Sequence, residues 1–539
     1  MGRMARRAYS RAEAMWFEEE RPSQLMTEDC KKSGVRWISA CLFLAGVATQ
    51  FWRFRYSSFL LPYDDDFFYY LLVAKNIVHK HLSTFDGTHL TNGYHPLWMS
   101  VLVAITLLAP GKATFYVVQA VIVALFMMTY WAARGMFRVY SQDPLATELG
   151  ACVVALQMLW LSQGGMEIAL TIPLILAFCW YRLRPGFRWS LATAIVYGLF
   201  ASLVVLSRLD AVLFVALIFM FECVLTRPSS ADGWLLRLTA LASGSIPIGI
   251  YVLLNLHFFH TSTPVSGQAK QLRLHHIPSL TPLISLLHYR TVCFLIAVPV
   301  TVAICLSLLA MTVRGRRHLE KDHLAIVLSL LLFPLLHQLA AATLSDWPMW
   351  PWYAYPFVVA TAGALLVAFS SHEASQCFGL PPRRRIAGIL ANVTILLFAV
   401  VDIRQTSVAL KKKNNCYIYA KDLEAFSRTH EGIYAMGDCA GSPAYLIQQP
   451  LVQLEGLVMD RSYLDNIKEQ RDLKQVLASY GVRYYIIPAP DLVDGCYRAV
   501  EPGRPGPDSP KMRGEFCMPA TASFNDGGFP LVVLDLQSR

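Results

Sequence analysis

Residues 64–98 read DDDFFYYLLVAKNIVHKHLSTFDGTHLTNGYHPLW. Three adjacent carboxylates open the stretch, an aromatic, amphipathic segment from Phe67 to His79 follows, and an apolar run begins as it closes. The rest of the chain defines the setting of that charge. Of 539 residues, 55% are hydrophobic and 16% charged, and mean hydropathy is +0.41. An ordinary soluble domain is about a quarter charged. The composition therefore implies a polytopic α-helical membrane protein with one modest soluble domain. The net charge of +10 is dispersed in short clusters between apolar runs. It does not form one basic face, which excludes a nucleic-acid partner.

Apolar runs of helical length fall at roughly 37–53, 97–110, 114–133, 146–161, 166–181, 189–206, 211–225, 236–257, 290–312, 322–343, 352–370 and 385–402. Residues 1–36 are charged throughout and lack the early apolar core of a cleavable signal, so they read as a cytoplasmic tail before a retained first span. Basic clusters at Arg134 and Arg138, Arg182–Arg188, Arg314–Arg317 and Arg383–Arg385 mark cytoplasmic loops. The loop 54–96 then faces outward, as do Gln163–Glu167, Arg208–Asp210, His257–His288 and Ser345–Trp352. The bookkeeping does not close: two spans between Pro96 and Arg134 would return Arg134 to the outer side. Either that basic cluster breaks the charge rule or one short run is re-entrant or split, and an outward C-terminal domain requires an odd total, 11 or 13 spans. Residues 37–402 thus form one transmembrane module.

Residues 403–539 alternate polar helical stretches (Lys421–His430, Arg461–Tyr480) with strand-like runs (Arg483–Ile487, Leu531–Leu534), which predicts a small extracytoplasmic α/β domain. Residues 501–514, EPGRPGPDSPKMRG, read as an exposed loop. Gly437-Asp-Cys-Ala-Gly441 is a Gly-flanked turn, either a packing turn or a phosphate loop. Of 12 cysteines, most lie in apolar runs, while Cys416, Cys439, Cys496 and Cys517 lie in the tail. One disulfide such as Cys496–Cys517 is compatible with an oxidising compartment. The N-x-S/T sequon at Asn392 falls inside an apolar run, which leans towards a bacterial inner membrane.

Polar residues gather at the boundaries assigned outward. Ionisable groups at membrane depth are costly and by default suggest a site. Each also has a plain structural reading. Asp64 or Asp65 would cap the following helix, where the dipole favours acids. Glu167, in Gly164-Gly165-Met166-Glu167, would cap another. Arg208 and Asp210 would form an ion pair, Lys270 a solvated loop cation, and the tryptophans around Asp346 an interfacial belt.

Asp65-Asp66-Phe-Phe-Tyr-Tyr-Leu, Phe85-Asp-Gly and Thr91-Asn-Gly-Tyr-His-Pro-Leu-Trp98 together resemble the first outward loop of GT-C fold membrane glycosyltransferases. They are most similar to the polyprenyl-phosphate-dependent group that includes mycobacterial arabinofuranosyltransferases. Gly165-Met-Glu-Ile-Ala-Leu170, Leu206-Ser-Arg-Leu-Asp210, Pro264-Val-Ser-Gly-Gln-Ala-Lys270 and Leu454-Glu-Gly-Leu457 also fit. The chain departs from that group in its extra acid, Asp64, and in its shorter tail.

The resemblance implies a GT-C-like module of about 11–13 transmembrane helices in a cell-envelope membrane, working in glycan biosynthesis. It implies an inverting single displacement that moves a sugar from a polyprenyl-phosphate donor to a glycan, lipid or protein acceptor. Asp65 is expected as general base with Asp66 as helper, or the reverse. Arg208 and Lys270 would hold the lipid phosphate, and His95 would donate to the phosphate or the sugar. Asn92 would bind sugar hydroxyls, and Tyr69, Trp352 and Tyr353 would stack on a sugar face. Asp64, Glu167, Asp210 and Gln268 complete the expected substrate-binding set. No cofactor and no metal site is expected, although three acids leave a divalent ion open. The competing reading is a transporter or lipid-linked sugar flippase, which would place acids within spans near the midplane.

Overall fold

The structure is a computed structural model. It describes residues 63–141, 144–162, 164–275, 277–289, 292–313, 321–370, 415–525 and 530–537, with isolated positions before them. The tail 1–36, most of the apolar run at 37–53, the run at 385–402 with its sequon, and the clusters Arg314–Arg317 and Arg383–Arg385 lie outside the described residues.

Helix α1 spans Asp65–Lys80 and α2 spans Pro96–Leu108. Seven apolar helices follow in α3 (Lys112–Phe137), α4 (Pro144–Ser162), α5 (Ile168–Leu183), α6 (Leu191–Ser207), α7 (Val212–Leu225), α8 (Ala231–Phe259) and, after the short outer helices α9 (Val265–Gln271) and α10 (Thr281–His288), α11 (Val298–Val313). Helices α12 (Lys321–Leu344) and α13 (Tyr355–Ser370) end the bundle. Four helical segments, Lys112–Phe137, Ala231–Phe259, Lys321–Leu344 and Pro351–Ser370, are long and apolar enough to cross a membrane unaided.

Ion pairs and ring contacts fix the bundle's two ends. At one end Arg182 pairs with Glu222 at 2.6 Å and Asp322 at 2.8 Å. There too Arg134 binds Glu148, Tyr140 meets His323 and Phe137 meets Phe369. At the other end Glu167 pairs with Arg208, Asn255 with Asn92, and Tyr355 and His337 with Asp210. Among the described residues, nine apolar helices (α3–α8 and α11–α13) run between these ends.

Helix α2 is not one of them. It starts at the end that holds Arg208, where the Leu209 N–H donates to His95 Nδ1, and only four residues after its last turn the chain is at that end again. Helix α3 starts at the same end, where Phe115 packs on Tyr63 and Tyr445 at 5.4 and 5.7 Å. The run at 97–110 is therefore corrected from a span to a helix lying across one end. Arg134 consequently arrives at the basic end with Arg182.

Helix α1 does not lie open on a surface as its amphipathic pattern suggests. Phe67 to Leu71 are all buried, because aromatic residues on both faces are covered by α2 and by the soluble domain. Within that domain are α14 (Asn415–Ser427), α15 (Gly441–Ile447), α16 (Arg461–Lys468) and α17 (Leu473–Ser479). Its strands are β1 (Ile433–Met436), β2 (Leu451–Gln453), β3 (Val482–Pro488), β4 (Asp491–Val493), β5 (Cys496–Glu501), β6 (Met512–Phe516), β7 (Ala522–Phe524) and β8 (Leu531–Asp535). One sheet runs β2-β1-β3-β8-β7, and a second runs β4-β5-β6. Strands β2, β1 and β3 are parallel, and β8 joins antiparallel. Disulfides join Cys416 to Cys439 and Cys496 to Cys517, one more than the sequence suggests.

The Pro/Gly-rich segment 501–514 is not a free loop. Its Gly506 and Asp508 N–H groups donate to the Asp346 carbonyl and carboxylate at 2.8 and 2.9 Å. Its Asp508 carboxylate takes Arg273 Nε at 2.9 Å. Asp346, 1% exposed, thus anchors a strap that ties the soluble domain to the bundle.

Candidate functional site

An α-helix turns about 100° per residue, so three consecutive side chains cannot share a direction. The aspartates that open α1 consequently have three environments. Asp64 donates its backbone N–H to the Gly164 carbonyl at 3.1 Å, and a Cβ on Gly164 would overlap its carboxylate. Its side chain makes no capping bond. Asp65 is spoken for: its carboxylate accepts Gly441 N–H at 2.8 Å and Ser442 N–H and Oγ at 2.8 and 2.9 Å. The anion at the start of α15 is thus the protein's own Asp65, which pins the soluble domain to the bundle. The Asp66 carboxylate accepts no hydrogen bond among the described residues. Burial pushes its pKa up to about 7, against the opposing pull of Lys270, with Asp65, Asp64 and Glu167 adding to the rise.

All three line an acid cavity of about 320 Å³ under the soluble domain. Lys270, Tyr69, Trp350 and Trp352 complete its bundle side, and Asp438, Glu455 and Arg504 its domain side. Trp350 and Trp352 stack at 5.9 Å. Arg504 pairs with Asp438. Both also line a second, larger cavity of about 910 Å³ within the soluble domain, over Tyr485 and Glu501.

On the bundle side lies a groove of about 450 Å³ whose lining is largely apolar, with Val212, Leu213 and Leu344 among its walls. Its polar members include His95, Arg208, Asp210, Lys270, His337 and Tyr353. Lys270 lines both groove and acid cavity. Its Nζ donates to Tyr353 OH at 2.8 Å. Burial alone would lower its pKa, but Tyr353 and Asp66 outweigh burial and leave it raised. Arg208 lies over the rings of Tyr353 and Tyr355 at 4.7 and 4.9 Å. Asp210 accepts its Nε at 2.9 Å, and Glu167 accepts its Nη1. Leu209 N–H donates to His95 Nδ1 at 3.2 Å, which puts the ring proton of neutral His95 on Nε2, the atom 3.7 Å from Glu167.

The residues singled out in the sequence therefore divide. Asp64, Asp65, Asp66, Tyr69, Lys270 and Trp352 converge on the acid cavity; His95, Arg208, Asp210 and Tyr353 converge on the groove. Glu167, 1% exposed, lies behind Arg208 and Tyr70, whose OH donates to it at 3.2 Å. Asn92 and Gln268 line neither space. Asn92 is an anchor: its Nδ2 donates to Asn255 and Thr261 at 3.1 and 2.9 Å, and its Oδ1 accepts Val265 N–H at 3.0 Å. It thereby fixes the end of α8 to the start of α9, the helix that carries Lys270. Gln268 Nε2 donates locally to the Thr263 carbonyl at 3.0 Å. Sequence reading missed His337, Tyr355, Asp438, Arg504 and the role of Glu455. His337 sits mid-helix, and the soluble-domain residues arrive from a remote segment.

Among the described residues no three His, Cys, Asp or Glu side chains are grouped to hold a metal.

No family model matches the sequence, and a search of curated proteins finds no relative. Solved structures do match. ArnT from Cupriavidus metallidurans, bound to undecaprenyl phosphate, superposes with a TM-score of 0.53 at 12% identity, over 92% of this chain and 97% of ArnT. Its apo form gives 0.53 at 12% identity, over 93% and 98%. The archaeal oligosaccharyltransferase AglB from Archaeoglobus fulgidus, in complex with an inhibitory peptide and a dolichol-phosphate, gives 0.50 at 12% identity, over 85% and 69%. Both proteins are GT-C fold glycosyltransferases. This chain is accordingly an integral membrane protein of the GT-C fold, as its first-loop motif implied, with a small α/β domain over one end.

Proposed function

We propose that the chain is a membrane glycosyltransferase that moves a sugar from a polyprenyl-phosphate donor to a glycan, lipid or protein acceptor in one inverting displacement. The observation that carries this reading is the meeting of two unlike spaces at Lys270. A largely apolar groove with cations at its head suits a prenyl chain ending in phosphate, and an acid, aromatic cavity suits a sugar. The fold shared with ArnT, whose crystal structure holds undecaprenyl phosphate, supports it.

In this reading Arg208 and Lys270, both beside Tyr353, hold the phosphate by charge-assisted bonds. Glu167 and Asp210 fix the guanidinium, so they position Arg208 without themselves touching the sugar. The acceptor oxygen attacks the anomeric carbon, and its proton passes to Asp66. The bond from that carbon to the phosphate oxygen breaks, and the electron pair leaves on the lipid phosphate. Asp66 suits the base better than Asp65. Its carboxylate is open to the cavity and titrates near neutrality, whereas three donors already hold Asp65. Trp352 and Tyr69 border the sugar. The 910 Å³ cavity, which shares Asp438 and Arg504 with the acid cavity as lining, is the acceptor's approach, which makes the soluble domain an acceptor-binding lid.

Nine helices run between the two ends among the described residues; with the apolar runs at 37–53 and 385–402 counted as spans from their sequence alone, the total is eleven. That odd count agrees with a cytoplasmic N-terminus and a soluble domain outside. Arg134, Arg182, Arg188 and Arg227 then lie on the cytoplasmic face, as positive charge favours. The test is sugar transfer by purified protein in liposomes from a polyprenyl-phosphate donor, comparing wild type, D65N and D66N. Loss in D66N with product from D65N is expected. Full transfer by D66N removes the base, and lipid-linked sugar movement without glycosidic product establishes a flippase instead.

A further inference from the structure

Glu455 sits in the turn after β2, where the soluble domain closes on the first loop. A Cβ on Gly93 would overlap the Leu457 carbonyl of the same turn, so the Thr91-Asn-Gly93 motif and this turn meet backbone to backbone. Glu455 is 4% exposed and lines the acid cavity. The neighbouring amide decides which of its oxygens is which. Leu457 N–H donates to Gln453 Oε1 at 2.9 Å, and this fixes the Gln453 amide so that its Nε2 donates to Glu455 Oε2 at 3.1 Å. Oε2 is therefore an acceptor. Oε1 is buried and has no partner among the described residues.

A lone ionised oxygen there would be costly, because a buried charge without a partner loses its hydration. The groups facing Glu455 make ionisation worse. Asp438 comes from the turn after β1, Glu501 from β5 and Asp66 from α1, and only Arg504, from the strap, opposes them. The hydroxyls of Tyr69 and Tyr463 are also within its field. Burial first, then those carboxylates, hold its pKa well above the ordinary range.

Building on the glycosyltransferase reading, we propose that Glu455 enters the site as a neutral carboxylic acid whose Oε1–H donates a hydrogen bond to a hydroxyl of the bound sugar or acceptor. The soluble domain then brings a neutral donor to the centre that Asp66 serves as base. The centre holds two acids in opposite protonation states, separated by their environments.

The test uses full-length E455Q and E455A, with D66N as a reference, in the liposome transfer assay from pH 6 to 9, alongside thermal midpoints. A glutamine amide places its oxygen at Oε2 and its NH₂ at Oε1, so it reproduces the neutral acid's pattern. E455Q is expected within about twofold of wild type at pH 7, without the loss of rate that ionisation of Glu455 brings at high pH. E455A is expected to lose about tenfold in kcat/KM, the scale of one neutral hydrogen bond. If E455Q falls as far as E455A, an ionised carboxylate is required and the proposal is overturned. An E455A protein with unaltered kcat/KM overturns it too, since no contact was lost. If E455A does not fold, the E455Q rate and pH profile still decide. The reference keeps the two ideas apart: an active D66N removes the base whatever Glu455 does, while an inactive D66N with either adverse Glu455 result removes only the donor.

Discussion

The two ends of the bundle carry nearly the same buried constellation. At the basic end, Arg182 is held by Glu222 and Asp322 and stacks on Phe187 at 4.5 Å. At the other, Arg208 is held by Glu167 and Asp210 and stacks on Tyr353 at 4.7 Å. Inspected pair by pair, the two cannot be told apart. The difference lies in what adjoins them. Arg208 borders a groove and a second cation, Lys270, while Arg182 ties α5 to α7 and α12. Buried charge directs attention to both, but structural ion-pair networks share that signature; an ion pair beside a shaped space with further convergent charge is much stronger support for a site.

The largest expected effect tests the base. D66N should lower transfer by roughly 10²–10⁴-fold, the range of general-base catalysis. Wild-type transfer should fall as pH drops below about 7, because Asp66 must be ionised and titrates there. Stability should move the other way. With a folded-state pKa about 7 and an ordinary unfolded value, Asp66 holds a proton in the folded protein that the unfolded chain has released between about pH 4 and 7. Its stabilising contribution is complete below about pH 4 and is lost as pH rises through 7. D66N should therefore melt higher than wild type at pH 8. A D66N protein that melts lower would show Asp66 to be a structural tie like Glu222.

Next, the two arginines should separate. E222Q leaves Arg182 short of a buried partner and should cost about 3–5 kcal/mol of stability, read as a lower thermal midpoint, with transfer per folded molecule unchanged. R208A should reduce binding of a polyprenyl-phosphate probe about 100-fold or more, since a desolvated contact between guanidinium and phosphate is lost. Equal probe binding by R208A and wild type would erase the distinction between the ends.

These contrasts also mark how far the sequence could be read. The acid run, the Thr-Asn-Gly-Tyr-His-Pro motif and the boundary charges at Arg208, Asp210 and Lys270 stand out because charge is rare beside apolar runs. The same reasoning could not place Asn92 and Gln268, which line neither space: a polar residue near a span end looks alike in sequence whether it faces a cavity, ties two helices as Asn92 does or bonds locally as Gln268 does. His337 and Tyr355 were invisible because one histidine or tyrosine in an apolar helix carries no periodic signal. Asp438, Glu455 and Arg504 reach the cavity only through docking of a domain whose first described residue lies some 350 positions beyond Asp66. The short run at 97–110 was miscounted because hydropathy reports what a helix avoids, not whether it crosses.

The smallest effect tests the finest distinction, between neighbours Asp65 and Asp66. S442A removes one of three donors to Asp65 and leaves the two backbone N–H groups in place. One such bond to a carboxylate is worth about 1.5–3 kcal/mol at full loss, and the remaining donors absorb part of it. If Asp65 serves to seat the soluble domain, S442A should raise the acceptor KM about threefold and quicken hydrogen exchange in residues 441–447. It should leave kcat and the pH midpoint near 7 unchanged, because Asp66 is untouched. A shifted pH midpoint with an unaltered acceptor KM would instead make Asp65 the titrating base, tuned by the Ser442 hydroxyl, and Asp66 the bystander.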